Sequence, residues 1–196
     1  MRTRCESDRP KQRWNDRLAG RLWVSTLMIA AAAQAGDFQY TVEVLEQPED
    51  AFSVIPWGIN NAGDVVGWVL ATGQPVQACR WPAGQTHMVI LPTPPGQTGF
   101  YAREITDGGS IAGGYEFGHA WTYSMGEYNI LEAIPGTGSA EAWGINEFGD
   151  AVGTADPSAL LSFQAFYYDA AMDAMVQMAP WPSRGYDVND AGQATG

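Results

Sequence analysis

The chain has 196 residues, with 10 Lys or Arg against 22 Asp or Glu, a net charge of −12, and two Cys. Seven of the ten cations stand in the first 21 residues, so the rest is left almost without positive charge. That balance excludes a nucleic-acid binder, which needs Lys and Arg clusters against phosphate, and disfavours unassisted adsorption to anionic membranes.

The chain opens on a basic stretch, Arg2, Arg4, Arg9, Lys11, Arg13, Arg17 and Arg21, followed by an uncharged, mostly apolar run over residues 22–33. Ala33-Gln34-Ala35 fits a small-residue cleavage site, so residues 1–35 read as a secretory signal peptide. The apolar run is shorter than the roughly 20 residues a bilayer-spanning helix needs. A buried or membrane-anchoring first helix is the competing reading. Past residue 35 no segment is apolar enough to span, and three basic residues remain (Arg80, Arg103, Arg184) against nineteen acids, a formal charge of −16. Cys5 falls in the leader. Cys79 is therefore alone, cannot form an internal disulfide, and reads as a small buried hydrophobe.

Residues 40–45 read as a first strand. Then a turn is written four times: Ile59-Asn60-Asn61-Ala62-Gly63-Asp64, Ile105-Thr106-Asp107-Gly108-Gly109-Ser110, Ile145-Asn146-Glu147-Phe148-Gly149-Asp150 and Val188-Asn189-Asp190-Ala191-Gly192-Gln193. The spacings are 46, 40 and 43 residues, which marks a repeat architecture. Asn suits the first position of a type I turn, and Gly the left-handed position after it. The turn should thus be a tight hairpin with a bulge.

Trp57 with Ile59, Arg103 with Ile105, Trp143 with Ile145 and Tyr186 with Val188 alternate along the strand before each turn. The strand after each turn carries a Gly (Gly67, Gly113, Gly153, Gly196) that implies a backbone or ring packed close. A third strand reads Gln77-Ala78-Cys79-Arg80-Trp81, His119-Ala120-Trp121-Thr122-Tyr123 and Gln164-Ala165-Phe166-Tyr167-Tyr168, with the last aromatic and the residue two before it on one face. A fourth strand falls at residues 88–91, 128–131 and 175–178. Four short strands per unit of 40–46 residues predict an all-β fold: a β-propeller-like array of four-stranded antiparallel blades over residues 36–196. The fourth copy stops inside its second strand, so the ring is expected to be incomplete or the chain a fragment. The strand at residues 40–45 would then be the outer strand of a blade built from the far end of the chain.

These residues resemble the bacterial extracellular repeats named HAF, after His-Ala-Phe. Residues 57–67 match the first half of that unit closely, and His119-Ala120-Trp121 and Gln164-Ala165-Phe166 match the second half in weaker form. Thr106 in place of Asn is the main departure. The resemblance implies an exported repeat protein, secreted, periplasmic or on a bacterial surface. It carries no reaction and no functional residues.

Site by site the residues argue for structure. Asp64 and Asp150 share one turn place in different units, and calcium there would need 6–8 converging oxygens. His119 is replaced by Gln77 and Gln164 in the other units, which suits a hydrogen-bonding strand residue better than a base. No catalytic, cofactor or metal residue is assigned. Trp57, Arg103, Trp143 and Tyr186 would line the axis, where they pack between blades or meet a sugar or an anion. Variable segments at residues 70–76, 116–118 and 155–162 are the other places for recognition. The expected function is binding or scaffolding of an unknown extracellular ligand, glycan or protein. The alternative is an extracellular carbohydrate-active enzyme, a hydrolase or lyase, with Glu104, Glu116 and Glu141 the acids to examine.

Overall fold

The computed structural model describes residues 27–30, 39–115, 118–132, 137–156, 163–180 and 182–196. The chain divides between Val44 and Leu45 into two units. In the first, β1 (Leu27–Ala30) pairs antiparallel with β2 (Gln39–Val42). The strand expected at residues 40–45 is thus present, but its partner comes from the apolar run assigned to the leader, not from the far end of the chain. A partner near in sequence closes a far smaller loop. The Ala33-Gln34-Ala35 site lies outside the described residues.

The second unit is built of antiparallel sheets. The first sheet is β3 (Ala51–Ile59), β4 (Val65–Ala71), β5 (Gln77–Trp81) and β6 (Val89–Ile90), in that order. The second is β7 (Phe100–Ile105), β8 (Ile111–Tyr115), β9 (Ala120–Ser124) and β10 (Glu127–Ile130). The third is β11 (Ser139–Ile145), β12 (Ala151–Asp156), β13 (Gln164–Asp169) and β14 (Ala174–Gln177), and a last pair joins β15 (Asp187–Val188) to β16 (Ala194–Thr195). Among the described residues there is no helix, hence none long and apolar enough to cross a membrane.

Each written turn joins the first two strands of its sheet. The N–H of Gly63 donates to Asn60 O (3.0 Å) and Asn60 N–H to Asp64 O (3.1 Å). The same two bonds recur at Thr106, Asn146 and Asn189. Gly63, Gly109, Gly149 and Gly192 have φ of +92°, +85°, +86° and +72°. This is the expected type I turn closed by a left-handed glycine, which a Cβ would strain.

The turns are also bonded to one another. Asn60 Nδ2 donates to Thr106 O at 3.0 Å, and Asn146 Nδ2 to Asn189 O at 3.2 Å. Asn61 N–H reaches Asp107 Oδ1 (2.7 Å), Asp107 N–H reaches Glu147 Oε1 (2.6 Å) and Glu147 N–H reaches Asp190 Oδ1 (2.9 Å). The acid of one turn thus accepts from the backbone of the turn before it.

The core lies between successive sheets. Val66, Ala78 and Leu91 of the first repeat pack with Phe100, Ile111 and Trp121 of the second repeat. Ala112, Ala120 and Leu131 of the second pack with Ile145, Phe166 and Tyr168 of the third. Cys79 and Trp81 cover the other face of the first sheet beneath Leu45 and Val54. Trp81, Trp121 and Phe166 are all under 2 % exposed, so the third strand's rings are the anchors that its alternation implied. Truncating such a ring to Ala costs about 3–5 kcal/mol.

Candidate functional site

The strand before each of the first three turns carries a β-bulge, and the extra residue holds the same repeat position in all three. Pro56 pairs with Gly67 and Gly58 with Val66, which leaves Trp57 unpaired between them. Arg103 stands between the pairs Ala102–Gly113 and Glu104–Ala112. Trp143 stands between Ala142–Gly153 and Gly144–Val152. A bulge re-aims the side chain it carries. It also crowds the facing strand: a Cβ on Gly67, Gly113 or Gly153 would run into the carbonyl oxygen of Ile55, Tyr101 or Glu141. That is the close packing that the recurring Gly implied.

The bulged side chains meet. The Arg103 guanidinium lies 4.2 Å from the ring centroid of Trp57 and 4.4 Å from that of Trp143, with Tyr101 at 5.0 Å. Trp57 and Trp143 stand edge to face at 6.3 Å, and Trp143 meets Tyr186 at 6.3 Å and 77°. The four residues singled out in the sequence therefore form one cluster. Trp57 and Tyr186 remain half exposed, at 49 % and 51 %.

Arg103 Nε donates to Glu141 Oε1, so one of the three acids named from the sequence joins the cluster. Burial raises the Glu141 pKa, and the charges of Arg103 and Arg184 pull it back only in part. Glu104 turns to its own strand, accepting the N–H of Ile105 at 3.2 Å. Its pKa is also raised, by burial first and then by the charge of Asp187, against the Ile105 bond. Glu116 lies outside the described residues.

Beside this cluster opens a cleft of about 140 Å³. Tyr101, Tyr115, Trp143 and Phe163 supply its rings; Glu141, Asp156, Thr154, Ser139 and Arg184 supply its polar groups. Arg184 stacks over Phe163 at 3.9 Å. Three buried polar atoms in this neighbourhood have no partner among the described residues: Thr154 Oγ1, Trp143 Nε1 and Arg103 Nη1. Sequence reasoning missed Tyr101, Thr154 and Phe163, because none was a marked place of the repeated motif; Asp156 falls in the variable segment 155–162 already named for recognition. The scarcity of cations was the available signal: two of the three Arg after residue 35 stand at Glu141.

The turn acids do other work. Asp64 Oδ1 accepts from Ala83 N–H (2.8 Å) and pairs with Arg80 (2.9 Å), while Oδ2 accepts from Asn60 (3.1 Å). Asp150 repeats this with Ala170 N–H (3.0 Å) and Asn146 (3.0 Å). The oxygens that a turn cation would use already take protein N–H groups. His119 lies beside Tyr115, with centroids 6.1 Å apart, just ahead of β9, where Gln77 and Gln164 begin β5 and β13. Cys79 is fully buried, and desolvation pushes its thiol up to about 12, far from a reactive thiolate.

The chain matches no protein-family model and no curated protein.

Proposed function

We propose that residues 36–196 are a β-propeller-like array of HAF-type repeats, carried by a protein that a bacterium exports, and that its role is to bind or scaffold an extracellular glycan or protein. One observation carries the reading: Trp57, Arg103, Trp143 and Tyr186, at one place in four repeats, converge. Sheets packed face to face stand about 10 Å apart. In a straight stack, equivalent residues two repeats apart would be separated by about twice that. Trp57 and Trp143 are two repeats apart at 6.3 Å, a separation that favours a curved array with these residues on its concave side. Half-exposed aromatics on a rigid concave face suit recognition.

A catalytic reading needs two carboxylates free to act across a substrate. Glu141 is committed to Arg103 and Glu104 to its own backbone. The acidic surface and the basic, Ala-rich leader support export to the outside or the periplasm. The test is a glycan array and a reducing-end hydrolysis assay on the full chain. Saturable binding without turnover is expected. Turnover of a polysaccharide that is lost in Glu141→Gln would make the protein an enzyme instead. Expression in a bacterium, with the exported product sequenced from its N-terminus, should find Gly36 first.

A further inference from the structure

We propose that the cleft beside the Arg103–Glu141 pair binds one neutral sugar residue. The inference rests on the reading of the domain as a binding module and names its ligand chemistry.

Two observations carry it. Thr154 is only 8 % exposed, yet its Oγ1 has no partner among the described residues, and it forms part of the cleft wall. Trp143, on the same wall, has a buried indole N–H in the same condition. Buried polar atoms of folded proteins are almost always paired, so two orphans on one small cleft point to a ligand that supplies hydroxyls. A hydroxyl can accept from the indole and either donate to or accept from Thr154.

The charge of the cleft selects against ions. Glu141 and Asp156 stand on its walls against Arg184, with Arg103 bound behind Glu141. An anion would face two carboxylates, and a cation the Arg184 guanidinium, with Glu141 already paired to Arg103. A neutral ligand with many hydroxyls can address both signs at once. The rings of Tyr101 and Trp143 give the flat apolar surface on which the C–H face of a sugar ring packs. At about 140 Å³ the cleft is well below the ~300–1,000 Å³ of sites for larger ligands, so it suits a single ring.

The experiment is saturation-transfer NMR on the full chain. The probes are D-glucose, D-galactose, D-mannose and N-acetylglucosamine, with galacturonic acid and glucosamine as charged counterparts. At least one neutral sugar should receive saturation and shift the Trp143 indole N–H resonance. Thr154→Val, which removes the hydroxyl at constant shape, should weaken that sugar at least fivefold. Arg184→Gln, at an exposed position that folding tolerates, should do the same. Absence of transfer to any neutral sugar overturns the proposal, as does tighter binding of a charged counterpart, or equal binding by Arg184→Gln. Should the glycan array still find a partner while these neutral rings fail, the cleft assignment falls alone. Should neither experiment find one, the binding-module reading falls with it.

Discussion

Asn60 donates its side-chain amide to the backbone carbonyl of Thr106, the residue that holds Asn60's own place in the next turn. One asparagine thus does three things: its Oδ1 accepts Asp64 N–H, its Nδ2 holds the Asp64 carboxylate, and the same Nδ2 joins neighbouring sheets. Asn146 repeats all three toward Asp150 and Asn189.

Removing this amide should be costly. Asn60→Ala leaves one Asp64 oxygen and the Thr106 carbonyl short of a donor, at about 1–3 kcal/mol. Thr106 performs only the first task, accepting Ser110 N–H on its Oγ1 at 3.2 Å. Thr106→Asn should restore the missing donor toward the third turn and stabilise by about 0.5–1.5 kcal/mol. Urea denaturation midpoints at constant slope measure both.

Two glycines four residues apart separate two physical causes. Gly109 sits at φ +85° with open space where a Cβ would go, so Gly109→Ala should cost only its backbone strain, about 1–2 kcal/mol. Gly113 faces the Tyr101 carbonyl and the ring of buried Trp121. Neither can retreat, so Gly113→Ala should cost about 3 kcal/mol or more. Equal losses in thermal melts of the two variants would refute the bulge explanation of the second-strand glycine.

The turn and its glycine were legible in the sequence because local backbone chemistry sets them: Asn at the start, left-handed Gly at Gly63, strands of period two around both. The third-strand rings were legible for the same reason. Convergence of Trp57 with Trp143 was only half legible. Equal register placed them on one strand position, but the bulge that turns them inward depends on pairing with Gly67 and Gly153 across the hairpin. The cleft was not legible at all. Tyr101, Thr154 and Phe163 come from unrelated repeat positions, and only the packing of sheets brings them together.

Breaking the Arg103–Glu141 pair from one side should destabilise more than breaking it from both. Arg103→Leu leaves Glu141 buried without its cation, at about 2–4 kcal/mol for a pair that is 15 % and 21 % exposed. Adding Glu141→Gln should return part of that loss. A double-mutant cycle in urea reads the coupling; additive losses would mean that the pair contributes nothing.

Acid and base limbs of the stability profile should have different owners. Burial tends to raise the pKa of Asp64 and Asp150. The bonds from Ala83, Arg80 and Asn60, or from Ala170, Asn146 and Tyr167, more than reverse it, so both are lowered from 3.8. Their stabilisation is complete above that value and is lost as pH falls below it. Glu104 and Glu141 are raised from 4.5, so the folded state holds their protons more firmly, and stability falls as pH rises from 4.5 through their raised values. Glu104→Gln, which keeps the acceptor for Ile105 N–H, should match the parent near pH 4 and exceed it increasingly as pH rises through the raised pKa of Glu104, then by a constant amount. A difference that is the same at pH 4 and pH 7 would contradict the assignment.

The most direct measurement of the turn-to-turn joint is NMR of the side-chain amides. Cross-peaks are expected from the Asn60 NH2 to the Thr106–Asp107 backbone, and from the Asn146 NH2 to the Asn189–Asp190 backbone. If each amide shows contacts only within its own turn, the repeats are not joined in this way, and the proposed array loses the bond that holds successive turns together.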